Sequence, residues 1–115
     1  MDARFRLRRR DDFARLRRHG RTYRRPWLSL SVVQNEVGYN RYGFITNKQL
    51  GKAVTRNRVR RVLREAIRLR HADVQPGFDI LWIARSGLVG KPWPVVVQMV
   101  DELYRQAGLL KDASA

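Results

Sequence analysis

The chain contains no cysteine. That excludes disulfides, cysteine-ligated zinc and thiolate catalysis, and fits a cytoplasmic location. Acids are scarce: ten Asp and Glu stand against 25 Lys and Arg. A nuclease that holds two metal ions needs several converging carboxylates, and these acids are scattered. Only two histidines occur, His19 and His71, each among arginines near an expected helix end. Cation capping of the helix dipole accounts for both, so a paired-histidine nuclease is not expected. No apolar run reaches the roughly 20 residues that span a bilayer. The basic start, Met1 to Arg10, is not followed by the apolar stretch of a secretory signal. The expectation is a soluble chain without a membrane role. Walker loops, zinc-binding HExxH and nucleophile elbows are missing from the sequence as well.

What is present is arginine. Of the 25 basic residues 21 are arginine and four are lysine, and the formal net charge is +15. So much like charge opposes compactness unless a polyanion neutralises it. The planar guanidinium fork matches phosphate oxygens and stacks on bases. Nucleic acid is therefore the default partner, ahead of an anionic membrane surface. The chain has 115 residues, 43% of them hydrophobic, which suits one domain with a modest core.

The charge is segregated. Arg4 to Arg25 and Lys52 to Arg70 together hold 19 of the 25 basic residues. Between and after them the chain is nearly neutral and more apolar. The pattern predicts a short first helix with Asp11 or Asp12 as N-cap or first-turn acid and Gly20 as its stop, with Phe13 and Leu16 on one face. Trp27 to Val33 alternates as a strand, and Asn35 to Asn40 is turn chemistry leading to a partner strand, Arg41 to Thr46. Gly51 is a hinge before a central helix that runs to about His71. Phe78 to Ala84 is a strongly apolar strand, expected at the centre of a sheet. A last helix starts near Pro92–Pro94, buries a stripe including Trp93, Val96, Val97, Val100, Leu103 and Tyr104, and turns Asp101 and Glu102 away. The chain reads as a single α+β domain, with residues 111–115 as a loose tail.

The central helix decides the function class. On a helical wheel with Val59 at zero, Val62, Leu63, Ala66, Ile67 and Leu69 fall within roughly 80°, whereas Asn57, Arg60, Arg61, Arg64 and Arg68 fall between about 100° and 200°. Arg58 lies on the flank, and Arg56 near the N-terminal end with Lys52. A solvated helix face usually mixes signs. Here Glu65 is the sole acid from Lys48 to His71, so Arg60, Arg64 and Arg68 repel one another at spacings of four. Bound phosphate would relieve that cost. The helix follows a strand and a loop rather than a tight second helix, which disfavours a helix-turn-helix reader of duplex DNA and leaves structured RNA at least as suitable.

The tract LGKAVTRNRVRRVLREAIR, Leu50 to Arg68, resembles the signature of the protein subunit of bacterial ribonuclease P, including its Arg-Asn-Arg core at Arg56, Asn57 and Arg58. RRRDDFARLRRHG, RYGFITNKQLGKA and GFDILWIAR resemble the family's N-terminal element and the strands flanking the motif. The resemblance implies an α-β-β-β-α-β-α sandwich with a left-handed β-α-β crossover, like the second domain of a small-subunit ribosomal protein. It implies an accessory subunit: an RNA subunit performs the Mg²⁺-dependent endonucleolytic removal of the 5′ leader of precursor tRNA, and the protein itself carries no catalytic residue and binds no metal or cofactor. Its partners would be the catalytic RNA and precursor tRNA, with no obligate protein partner. Carried over, Lys52, Arg56, Asn57, Arg58, Arg60, Arg61, Arg64 and Arg68 would contact the catalytic RNA. Phe13, Arg17, Ser31 and Tyr104 would line the leader cleft, where aromatic rings stack on unpaired bases. Arg17 and Ser31 stand where the family often has aromatics. For Phe13 and Tyr104 the alternative is ordinary core packing. Two other readings share the size and charge, a structural ribosomal protein and a DNA-binding regulator; both fit the Leu50–Arg68 tract poorly.

Overall fold

The computed structural model describes residues 3–111. Three helices, α1 (Arg10–His19), α2 (Ala53–Arg70) and α3 (Trp93–Ala107), accompany four strands, β1 (Arg21–Arg24), β2 (Leu28–Gln34), β3 (Arg41–Thr46) and β4 (Phe78–Ala84). The sheet order is β1-β2-β4-β3. β2 is antiparallel to β1 and β4, and β3 is parallel to β4, with α2 as the crossover between them. The expected α-β-β-β-α-β-α order is observed, and β4 is central.

β4 is central because both its faces are apolar, as in strands covered on both sides. Ile80, Trp82 and Ala84 point into the main core, with Leu28, Leu30 and Val32 of β2, Val59, Leu63, Ala66 and Ile67 of α2, and Val96, Val100, Leu103 and Tyr104 of α3. Trp82 lies between Leu30 and Phe44 in the register and meets Tyr104 edge-on at 5.1 Å. Leu81 and Ile83 face the other way, toward Leu7, Phe13 and Leu16. The sheet thus carries α2 and α3 on one face and α1 on the other.

Several local expectations need correction. Of the two roles open to Asp11 and Asp12, N-cap and first-turn acid, they take the second; the α1 N-cap is Arg9, without a side-chain cap. The buried positions of α2, Val59, Leu63, Ala66 and Ile67, follow i, i+4, i+7, i+8. Leu69, at the rim of the apolar arc, is 54% exposed. Asp101 does not turn outward: it is buried on α3 and takes both Nε and Nη2 of Arg70, at 2.8 and 2.7 Å. Trp93, expected in the stripe, is exposed. His71 is not a cationic cap. Its Nδ1 lies 2.8 Å from the Tyr42 hydroxyl, its ring packs on Phe5, and burial, then Lys111, lowers its pKa. Lys111 is tied down by its N–H to Asp73 O at 2.7 Å; the rest of the expected tail, 112–115, lies outside the described residues.

Candidate nucleic-acid interface

Two surfaces carry the predicted site residues, one on each side of the sheet. The first is α2. Gly51 enters it at φ +124°, a conformation that side chains oppose, and Lys52 is the N-cap. From there the basic side chains differ in what they touch. Arg58 and Arg61 are exposed and form no ion pair among the described residues. Arg60 donates to Asn57 Oδ1 at 2.9 Å and to Thr46 Oγ1 at 2.6 Å. Asn57 therefore acts first as an acceptor that orients Arg60. Arg64 lies 5.8 Å from the Phe44 ring centroid, and its pKa is lowered by burial, then by the charges of Arg6 and Arg60. Arg56 is half-buried with its Nε unpartnered.

The ridge is shorter than the wheel suggests. Arg68 is bound bidentately by Glu65, at 3.0 and 2.6 Å, and Arg70 by Asp101. Free positive charge is concentrated from Lys52 to Arg64.

The second surface is an open groove between α1 and the sheet. Phe13, Leu16 and Arg17 form one wall, and Thr22, Ser31, Ile45, Leu81 and Ile83 form the floor. Ser31 and Thr22 share a hydrogen bond of 2.9 Å between hydroxyls. The structure brings together three of the four residues assigned to the leader cleft: Phe13, Arg17 and Ser31. Tyr104 is not among them. It is fully buried on the opposite face against Trp82, and burial raises its hydroxyl pKa well above the ordinary value. Its place on the α3 apolar stripe is the physical reason.

Sequence reasoning passed over Asp79. This β4 carboxylate has no exposed surface. It accepts from Arg41 Nε at 2.8 Å, Arg41 Nη2 at 2.9 Å and Asn35 Nδ2 at 2.9 Å, and pairs with Arg15 of α1. Asp12 also binds Arg41, at 3.2 Å. This network clamps α1 to the sheet and sets one wall of the groove. It also engages Asp12 and Asp79 with arginines rather than leaving them open to a cation. An acid inside an apolar strand was the available signal.

A family model described as Ribonuclease P matches residues 1–108. The chain is 42% identical over 108 residues to the Ribonuclease P protein component of Roseiflexus sp. (strain RS-1), covering 93% of this chain and 88% of that protein. Among solved structures, the RNase P protein of Thermotoga maritima superposes with a TM-score of 0.80 at 28% identity, over 88% of this chain and 96% of the other. The Staphylococcus aureus RNase P protein superposes with a TM-score of 0.85 over 93% and 98%, and at 23% identity bears on the fold alone. With α2, the groove and these likenesses in agreement, the chain belongs to the ribonuclease P protein family.

Proposed function

We propose that the chain is the RNA-binding accessory subunit of a ribonuclease P holoenzyme, gripping the catalytic RNA with α2 and the 5′ leader of precursor tRNA with the α1 groove. The observation that carries this reading is that the cationic ridge and the groove open on opposite sides of one rigid sheet, so both can be occupied at once. Lys52, Arg58 and Arg61 neutralise phosphates of the RNA subunit, and Asn57 holds Arg60 in place. In the groove, Phe13 gives a base a surface to stack on, Ile45, Leu81 and Ile83 give an apolar floor, and Arg17 meets the backbone. None of these contacts requires a particular base, which suits leaders of varied sequence. Mature tRNA has no leader, so the groove favours substrate over product. Mg²⁺ and the chemistry belong to the RNA, whose phosphates hold the ion.

The test is reconstitution: the purified protein, a bacterial ribonuclease P RNA and a precursor tRNA, at a Mg²⁺ concentration where the RNA alone is slow. Restored cleavage at the mature 5′ end, with none when the RNA is omitted, is expected. Cleavage by the protein alone, or RNA binding without restored cleavage, overturns the reading.

A further inference from the structure

A third cleft lies at the outer edge of β3. Phe5, Arg6 and Leu7 run alongside Tyr42, Gly43 and Phe44, and Arg60 and Arg64 of α2 close the remaining side. The N-terminal segment is fixed there: Leu7 N–H donates to Tyr42 O at 2.9 Å, and Phe5 packs against the rings of His71 and Tyr39 at 4.7 and 5.7 Å. The cleft is therefore a built concavity.

Its chemistry is one-sided. Arg6, Arg60 and Arg64 converge without a carboxylate partner among the described residues. Their mutual repulsion is felt at Arg64, which burial and then the charges of Arg6 and Arg60 shift downward. The walls are half-buried aromatic rings, Phe5 and Phe44. A duplex does not fit this shape, since its phosphates lie on a convex surface and its bases are stacked inside. An exposed helix ridge such as Arg58 and Arg61 suits a duplex; a cationic pocket with aromatic walls suits a single nucleotide out of the stack.

We propose that this cleft holds one unpaired nucleotide of the RNA partner, its phosphate taken by Arg6, Arg60 and Arg64 and its base laid against Phe44. The proposal rests on the reading of the chain as an RNA-binding subunit. It adds a single-nucleotide site distinct from the α1 groove, on the opposite side of the sheet.

The test uses the full chain, with adenosine 5′-monophosphate and ribose 5-phosphate as probes, followed by NMR at the Gly43 and Phe44 amides. The two share a phosphate and a sugar, and only one has a base. The nucleotide should bind at these resonances about tenfold more tightly. Phe44→Leu should abolish that difference, with the rest of the spectrum reporting an intact fold. Arg6→Gln, at an exposed position, should weaken both ligands. Equal affinity of the two probes for the unsubstituted protein overturns the proposal. A final arm measures affinity for a ribonuclease P RNA, which Phe44→Leu should lower. If the unsubstituted chain binds that RNA and Phe44→Leu binds it equally well, the cleft proposal fails and the proposed function stands. If the unsubstituted chain does not bind the RNA, the proposed function fails, and the probe pair decides the cleft.

Discussion

A carboxylate without exposed surface must be matched by charge or hydrogen bonds, and Asp79 is matched by Arg15, Arg41 and Asn35 at once. Asp79→Asn removes the shared anion of two guanidiniums and leaves them only Asp12, 3.2 Å from Arg41 and 3.8 Å from Arg15. It should cost about 3 kcal/mol, the low end for breaking a buried pair, because Arg15 and Arg41 keep some access to water. Urea unfolding measures the loss. In the reconstituted enzyme, KM for precursor tRNA should rise as α1 loosens, while affinity for the RNA subunit should stay within a factor of two or so. A comparable loss of RNA-subunit affinity would mean that Asp79 supports the whole molecule rather than the groove. His71 makes a pH-dependent prediction. Its folded pKa is lowered by burial and by Lys111, so the unfolded chain binds the proton more readily. The stability linked to neutral His71 is complete above the unfolded value of about 6.5 and is lost as pH falls through the lower folded value. The other titratable groups facing it are Tyr42, whose pKa burial pushes up to about 12 and which stays neutral throughout, and Lys111. The thermal midpoint should fall between pH 7 and pH 5, and His71→Gln should flatten that slope.

At the scale of elements, α1 must stop abruptly to leave the groove open, and Gly20 is how it stops. Its N–H donates to Leu16 O at 2.9 Å, and a Cβ placed there would lie 2.3 Å from that same oxygen. Gly20→Ala should therefore break the closing hydrogen bond and cost about 1–3 kcal/mol, seen as a lower urea midpoint together with weaker binding of leader-bearing tRNA. On α2 the partners of each arginine predict unequal roles. Arg58 and Arg61 form no ion pair among the described residues, whereas Arg68 is held by Glu65. Arg58→Gln and Arg61→Gln should each lower the slope of log affinity against log salt for the RNA subunit by roughly 0.7–0.9. Arg68→Gln should change it less, since Arg68 is already neutralised by Glu65 and has less charge to offer a phosphate. Equal effects at all of these positions would mean that RNA pulls Arg68 away from Glu65. Helices were legible in the sequence because their period survives packing: the α2 arc, apart from Leu69 at its rim, and the β4 core run match the structure. What escaped depended on partners distant in sequence. β1, RTYR, has no apolar alternation and exists because β2 offers it a ladder. Asp101 reads as a solvent residue until Arg70, 31 positions away in sequence, is brought within hydrogen-bond distance. Tyr104, on the α3 apolar stripe, already leans toward core packing where Phe13 does not, and the sheet's two faces set them apart, Tyr104 in the main core and Phe13 at the groove.

For the molecule as a whole, the governing fact is a net charge of +15 on 115 residues. The described acids are largely engaged inside the fold: Asp12 and Asp79 with Arg15 and Arg41, Asp101 with Arg70, Glu65 with Arg68, Glu102 with Arg25. Internal pairing therefore holds elements together but leaves Arg6, Arg58, Arg60, Arg61 and Arg64 to repel across one side of the molecule. An anion that binds the folded ridge and not the unfolded chain stabilises by mass action, whereas simple salt acts only by screening. The two are separable. Phosphate at millimolar concentration should raise the thermal midpoint, saturating as sites fill, with ionic strength held constant by sodium chloride. At such concentrations the general exclusion effect of phosphate on apolar burial is negligible, because it belongs to far higher concentrations. The double variant Arg60→Gln, Arg64→Gln should start with a higher midpoint in the absence of phosphate, having lost repulsion, and should gain less from it. A midpoint that rises equally with chloride alone would assign the effect to screening of the total charge. A phosphate response unchanged in the double variant would move the anion site from the α2–β3 junction to another arginine cluster, with the exposed residues Arg17, Arg18 and Arg21 beside the groove next to be substituted.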